Sequence, residues 1–187
     1  NSPQLGSYTS DPFTLGLWHF NYPSGPTGNM RIPDSSGNGM DGIWNGLQPG
    51  TAKARFDKSI FLDGNDDFCF MDTVGGHILY PRWGGFTIDG WFYLDPITVG
   101  MQILVKRGMN EDQQFGLYID NDDKVIGNIY TKNKQKFEVI SDISLESEKW
   151  YHLALVLYSD SLLCLYVDGS IRSSTPVNGE LISYTKS

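Results

Sequence analysis

Oxygen donors recur at every second position in Asp34-Ser35-Ser36-Gly37-Asn38-Gly39, and Asp41 follows. A hard cation needs several carboxylate, hydroxyl and carbonyl oxygens converging from one tight bend, so Asp34, Ser36, Asn38 and Asp41 are candidate ligands of a structural Ca²⁺. The loop is not an EF-hand, because Asn45 stands where the bidentate Glu belongs and Pro33 bars an entering helix. The competing reading is an Asx-turn, in which the same side chains cap their own backbone. Asp63, Asp66 and Asp67 form a second acidic cluster, whose charges repel one another in solvent more readily than they gather an ion.

Sugar recognition asks for aromatic faces beside groups that hydrogen-bond hydroxyls, held on strands or rim loops. His77-Ile-Leu-Tyr80-Pro-Arg82-Trp83-Gly-Gly is the richest such stretch, and Tyr80, Arg82 and Trp83 are the candidate ligand-binding residues within it. The alternative for Trp83 is a cover over one end of the fold. Tyr130 joins them because Tyr130-Thr-Lys-Asn-Lys-Gln-Lys-Phe137 reads as a basic hairpin in an acidic chain. Lys132, Lys134 and Lys136 could meet an anionic sugar or a protein partner, although a solvated hairpin tip is the simpler reading and the favoured one. Trp44 and Phe137 are secondary candidates.

Signs of catalysis are sparse. His19, His77 and His152 are scattered, and neither a Gly-x-Ser-x-Gly elbow nor a His-x-x-x-His pair occurs. His152 lies in an apolar run, where a buried ring hydrogen-bonded to a neighbour is expected.

Short strands must position all of these residues. Almost every apolar segment is brief, rich in β-branched and aromatic residues, and bounded by Gly, Asn, Asp or Pro. The expected strands are Leu15–Phe20, Gly42–Trp44, Ser59–Leu62, Phe68–Met71, Phe86–Leu94, Gln102–Lys106, Phe115–Ile119, Val125–Tyr130, Phe137–Ser141, Tyr151–Tyr158, Leu162–Val167 and Ser170–Ser174. Tyr158-Ser-Asp-Ser161 and Asp168-Gly169 read as tight turns, making a three-stranded meander from Trp150 to Ser174. Phe86–Leu94 and Trp150–Tyr158 are apolar on both faces, which places them mid-sheet. The pattern is all-β: two packed antiparallel sheets in a single domain spanning 1–187.

The 187 residues suffice for one self-supporting core, and 40% hydrophobic content with 21 glycines describes a turn-rich globular chain. A net charge of −8 with no long basic run excludes nucleic acid as a partner. No apolar stretch approaches a bilayer span, so no membrane insertion is expected. The opening Asn1-Ser2-Pro3-Gln4 has no signal-peptide character, so any export signal lies outside this sequence or has been removed. No Asn-x-Ser/Thr acceptor occurs. Strand alternation turns Cys164 away from Leu163, Leu165 and Val167, while Cys69 shares a face with Met71, so the two thiols are not expected to pair.

In order, Leu17-Trp18-His19-Phe20, Asp34-Ser-Ser-Gly-Asn-Gly-Met-Asp41-Gly42, Ile60-Phe-Leu-Asp-Gly64-Asn-Asp-Asp-Phe68, Phe86-Thr-Ile-Asp-Gly-Trp91-Phe, Gly116-Leu-Tyr-Ile119, Trp150-Tyr-His-Leu-Ala154 and Leu165-Tyr-Val-Asp-Gly169 appear along residues 15–175. This series resembles the laminin G-like branch of the concanavalin A-like jelly rolls, which also include pentraxins, legume-type lectins and laminarinase-type glucanases. The resemblance implies a jelly-roll sandwich, with Gly42, Gly64 and Gly169 at left-handed turns and Trp91 and Trp150 between the sheets. It also implies a non-catalytic recognition or adhesion module, extracellular or on a cell surface, with a glycan or protein ligand. The Glu-x-Asp-x-Glu strand of the glucanases is missing, which makes a hydrolase the least favoured reading. A structural interaction domain of a larger surface protein, without sugar binding, stands between the two. Such domains usually continue past the Leu165–Gly169 hairpin into final strands that pair beside the N-terminal one. Those strands are not evident before Ser187, so the edge next to Leu15–Phe20 is expected to be completed by another segment or a second chain.

Overall fold

The structure is a computed structural model that describes residues 7–21, 30–45, 54–63, 66–71, 85–95, 102–107, 114–159 and 161–179, the backbone alone in 102–107. The chain divides into two compact units, Gln4–Leu79 and Tyr80–Ser187 with Asn1–Pro3. Eleven strands and no helix occur among the described residues, and so no helix there could cross a membrane.

The first unit holds β1 (Met30–Ile32), β2 (Gly42–Asn45) and β3 (Phe68–Met71), an antiparallel sheet in that order. Alternation turns Ile32 and Trp44 inward, and neither has exposed surface. Trp44 is therefore core and not a ligand platform. Gly42 is not a turn residue. It sits within β2, where a Cβ would approach Cys69 Sγ and Met71 Sδ to 2.9 Å, so the missing side chain makes room for two sulfurs. Leu15–Phe20 is not a strand either, for it makes a single bridge, Trp18 to Asp34. Ser59–Leu62 also lacks strand structure, whereas β1 was not expected, its three residues being too few to show a period.

The second unit is built from β4 (Gly85–Tyr93), β5 (Gln102–Arg107), β6 (Phe115–Ile119), β7 (Lys124–Tyr130), β8 (Lys136–Ser144), β9 (Trp150–Tyr158), β10 (Leu162–Val167) and β11 (Ser170–Pro176). They form two four-stranded antiparallel sheets, β5-β6-β7-β8 and β11-β10-β9-β4. The chain leaves β4, completes the first sheet as a meander, and returns at β9 to pair with β4 from Gly85↔Tyr158 to Tyr93↔Trp150. Hydrophobic side chains of both sheets close one core: Leu117, Ile119, Val125 and Ile129 from one, Leu153, Leu155, Leu163 and Leu165 from the other. Full burial of each such chain contributes about 1.5–3 kcal/mol. This is an all-β, two-sheet antiparallel β-sandwich, as the alternation predicts.

Details follow from turn and bulge chemistry. Asp168 and Gly169 have φ of 50° and 76°, both positive as a two-residue hairpin turn between β10 and β11 requires. Asp168 Oδ1 also accepts the His152 N–H at 2.9 Å, tying the turn to β9. The β7–β8 register shifts between Lys124 and Ile126, and Ser141 repairs the gap. Its Oγ accepts the Val125 N–H at 3.0 Å and donates to the Ile143 carbonyl at 2.6 Å.

Other expectations change. Among the described residues β4 ends its sheet, so its two apolar faces do not place it centrally. Trp91 and Trp150 do not fill the space between the sheets. They alternate with core residues and lie on the opposite face, Trp91 edge-on to His152 at 5.3 Å and Trp150 beside Tyr93 at 5.5 Å. Both cysteines are free. Gly64, and the segment beyond Gly179 where final strands were expected to be missing, lie outside the described residues.

Candidate functional site

The four residues proposed for Ca²⁺ do converge, and what they converge on is the 14–18 segment. Asp34 Oδ1 accepts the Leu17 N–H at 3.0 Å and the Ser36 N–H at 2.9 Å. Asp34 Oδ2 accepts the Ser36 hydroxyl at 2.7 Å and the Met40 N–H at 3.0 Å. Asp41 Oδ1 takes the Asp34 N–H at 3.0 Å, and its other oxygen lies 3.7 Å from Arg31 Nη1. Asn38 donates its amide to the carbonyls of Thr14 and Leu15, at 3.1 and 3.0 Å. Burial alone would raise the Asp34 carboxyl, but the hydrogen bonds from Ser36, Met40 and Leu17 outweigh it and hold the group below its ordinary value. Each carboxylate oxygen thus already accepts two donors, the geometry of a clasp that caps backbone. The Asp63, Asp66 and Asp67 carboxylates come within 4.8 Å of one another, with the Asp63 N–H donating to Asp67 at 3.2 Å.

Of the candidate ligand-binding residues, Tyr80, Arg82 and Trp83 lie outside the described residues. Tyr130 is the last residue of β7, half-buried, and its N–H donates to the Gln114 carbonyl at 2.9 Å. It stands directly across from Lys136. Alternation places Tyr130 and Asn128 on the face away from the core, while Phe137 points inward and packs against it, which removes Phe137 as a ligand candidate. On that outer face the Tyr118 ring folds back over Gly116, occupying the space a Cβ would need. Gly116 pairs with Asn128, and Asn128 with Glu138, so an aromatic ring, an amide, a carboxylate, a phenol and an ammonium lie on adjacent strands.

The hairpin beyond Tyr130 is tightly built. The Thr131 N–H donates to the Gln135 carbonyl at 3.0 Å, and the Lys134 N–H donates to the Thr131 carbonyl at 2.8 Å. Lys134 has φ of 60°, so three residues form a turn that closes with a left-handed position. Lys132, Lys134 and Lys136 are exposed, and Lys136 forms an ion pair with Glu138.

The outer face of the other sheet carries residues the sequence did not single out. The Tyr158 and Tyr166 hydroxyls are 2.7 Å apart. In the register these residues stand at opposite ends of the Val156–Cys164 row, so their rings lean toward each other over it, and Cys164 is only 1% exposed. Leu162 and Ile171 flank the pair and are exposed. Elsewhere on this face His152 is buried as expected, and its Nε2 lies 3.7 Å from Asp89 Oδ2, longer than the hydrogen bond expected of it. Two tyrosines eight residues apart across a short turn were the available signal for the Tyr158–Tyr166 pair.

Residues 63–187 match the Laminin_G_3 profile of the concanavalin A-like lectin/glucanase superfamily, and the chain belongs to that superfamily. No curated protein matches it in sequence. Among solved structures it is similar to the binding domain of paraclostridial mosquitocidal protein 1, with a TM-score of 0.61 and 18% identity over 81% of this chain. The botulinum neurotoxin serotype D ligand-binding domain, solved in complex with N-acetylneuraminic acid, gives 0.62 and 14% over 78%. The binding domain of botulinum neurotoxin DC, solved in complex with SialylT, gives 0.58 and 12% over 80%. This chain spans 39%, 36% and 38% of those three chains. At such identities the likeness establishes the fold, the jelly-roll sandwich that the ordered motifs implied.

Proposed function

We propose that this chain is a non-catalytic recognition module of an extracellular or cell-surface protein, and that it binds carbohydrate. The observation that carries the reading is Tyr130, an aromatic ring at the rim of a rigid sheet, set across from Lys136 and beside Asn128. A half-buried ring offers a sugar its apolar face while the exposed Lys136 ammonium meets the hydroxyls, Asn128 being buried at 5% exposure. The superfamily supports the reading, as does the likeness to toxin binding domains, two of them solved with sialic-acid-type ligands. Fold alone does not fix function, since sandwiches of this kind host enzymes and spacers too. The test is a glycan array run on the whole chain, followed by Tyr130→Ala and by Tyr80→Ala and Trp83→Ala. Loss of binding at unchanged melting temperature assigns the ligand to those rings, and an array with no bound glycan rejects the reading.

A second reading is favoured by the exposed row of Tyr158, Leu162 and Ile171. Apolar surface of this kind suits packing against a neighbouring segment or chain of a larger surface protein. Substituting Leu162 and Ile171 with Lys would disrupt such assembly and leave glycan binding intact.

A further inference from the structure

We propose that Asn178–Gly179 is a modification site at which the chain deamidates spontaneously, and that the fold protects the other two Asn–Gly pairs from the same reaction. The inference does not depend on what the chain binds.

The chemistry needs only water. An asparagine side chain reaches the backbone of the residues that follow it, and where the next residue is glycine no Cβ crowds the approach. The Gly179 nitrogen gives up its proton to water or hydroxide and attacks Asn178 Cγ. The N–Cγ bond forms, the Cγ–Nδ2 bond breaks, and Nδ2 leaves as ammonia with a proton taken from solvent. Water then adds to one carbonyl carbon of the five-membered imide. Opening at Cγ gives an aspartyl residue, and opening at the main-chain carbonyl gives an isoaspartyl residue whose main chain runs through Cβ and Cγ. Either product exchanges a neutral amide for a carboxylate, with no oxidation or reduction.

Asn–Gly occurs three times, at 38–39, 45–46 and 178–179, and the structure separates the three. Asn38 donates its side-chain amide to the Thr14 and Leu15 carbonyls at 3.1 and 3.0 Å, and its N–H to Ser36 Oγ at 3.2 Å. Attack on its Cγ requires those bonds to open first. Asn45 is held opposite Phe68 in the β2–β3 ladder, which fixes its backbone in the extended form. Asn178 lies beyond the end of β11, is exposed, and makes no hydrogen bond through its side chain among the described residues. The anchor before it is Val177, 4% exposed, whose N–H donates to the Ser161 carbonyl at 2.9 Å. Gly179 is exposed too, at a φ of 106° that side chains rarely allow. Both reacting groups therefore meet water, and no described group ties the amide down. The product also has a structural consequence. A Cβ on Gly179 would lie 3.6 Å from Thr131 Cγ2, so a longer isoaspartyl main chain shifts Gly179 against the base of the β7–β8 hairpin.

The experiment incubates the whole chain at neutral and mildly alkaline pH, folded and in concentrated urea. Peptide mapping by mass spectrometry follows each Asn–Gly pair, and isoaspartyl methyltransferase labelling reports the isoaspartyl product. In the folded chain Asn178 should react at least about tenfold faster than Asn38, a factor that two net hydrogen bonds account for. It should also outpace Asn45, and its rate should rise with pH. In urea the three pairs should react at similar rates. Asp34→Ala, which removes the acceptor that shapes the Asn38 loop, should speed the reaction at Asn38 and leave Asn178 unchanged. An Asn178 that reacts no faster than Asn38 in the folded chain overturns the proposal. The same ranking and spread in urea also overturns it, because sequence neighbours and not the fold would then set the rates.

Discussion

Gly127 on β7 and Leu155 on β9 pack so closely that a Cβ at position 127 would overlap Leu155 Cδ1 and lie 3.3 Å from Val139 Cγ2. The two sheets touch at this point because one strand offers no side chain where the other offers a leucine. Gly127→Ala should therefore overpack the core and cost about 1–3 kcal/mol, read by urea denaturation. Leu155→Val in the Gly127→Ala background should recover part of the loss. Additive losses in the double variant would show that the two sites do not meet.

Ser141 offers a second test of how the sandwich is held. Its hydroxyl serves the Val125 N–H and the Ile143 carbonyl where the β7–β8 ladder slips, and the residue is only 2% exposed. Ser141→Ala leaves both groups without that partner, and stability should fall by about 1–3 kcal/mol. Ser141→Thr, which keeps the hydroxyl, should lose less. Equal losses for the two variants would mean that packing, not the hydroxyl, matters at this position.

Apart from the three-residue β1, elements whose hydrogen bonds run strand to strand were legible in the sequence. Phe68–Met71, Phe115–Ile119 and Leu162–Val167 are strands with the expected ends, because apolar alternation and flanking turn residues both mark them. Leu15–Phe20 has the same composition, yet its Leu17 N–H goes to the Asp34 side chain and not to a neighbouring strand, a partnership no periodicity encodes. Trp91 and Trp150 were misplaced for a related reason: alternation fixes which residues share a face but not which face is the core when both are apolar. The Asp34 residues were found as a group, since spacing reports convergence. Whether they serve backbone or ion depends on which donors reach the carboxylate, and that is set by residues at 14–18 folding back.

The Asp34 clasp makes a prediction in pH. Its carboxyl is held below the ordinary value, so the unfolded chain takes up the proton first as pH falls. The associated stability is fully present above the unfolded value near 3.8 and is lost as pH drops through the lower folded value. Asp34→Asn should lower the melting temperature at pH 7 and flatten the decline below pH 4. Millimolar Ca²⁺ should leave the melting temperature unchanged if the hydrogen bonds keep both oxygens. A Ca²⁺-dependent rise, removed by chelator and by Asp34→Asn, would instead assign the loop to the ion, because a ligand that binds the folded state alone stabilises it by mass action.

The Tyr158–Tyr166 pair makes the opposite prediction, at alkaline pH. The hydrogen bond the Tyr166 phenol makes with Tyr158, followed by burial, pushes it up to about 12 from its usual 10.0, as donation of its own proton does. The unfolded phenol gives up its proton first, so the stability linked to this group is intact below pH 10 and is lost as pH rises through about 12. Tyr166→Phe should remove this alkaline step, and absorbance at the phenolate band should lose its latest-titrating component. The pair also covers Cys164, whose thiol burial raises above its ordinary value. Tyr158→Ala should then open the Val156–Cys164 row and speed labelling of Cys164 by a thiol reagent, with Cys69→Ser as the background to isolate the signal. Labelling as slow as in the parent chain would mean that other groups cover the thiol.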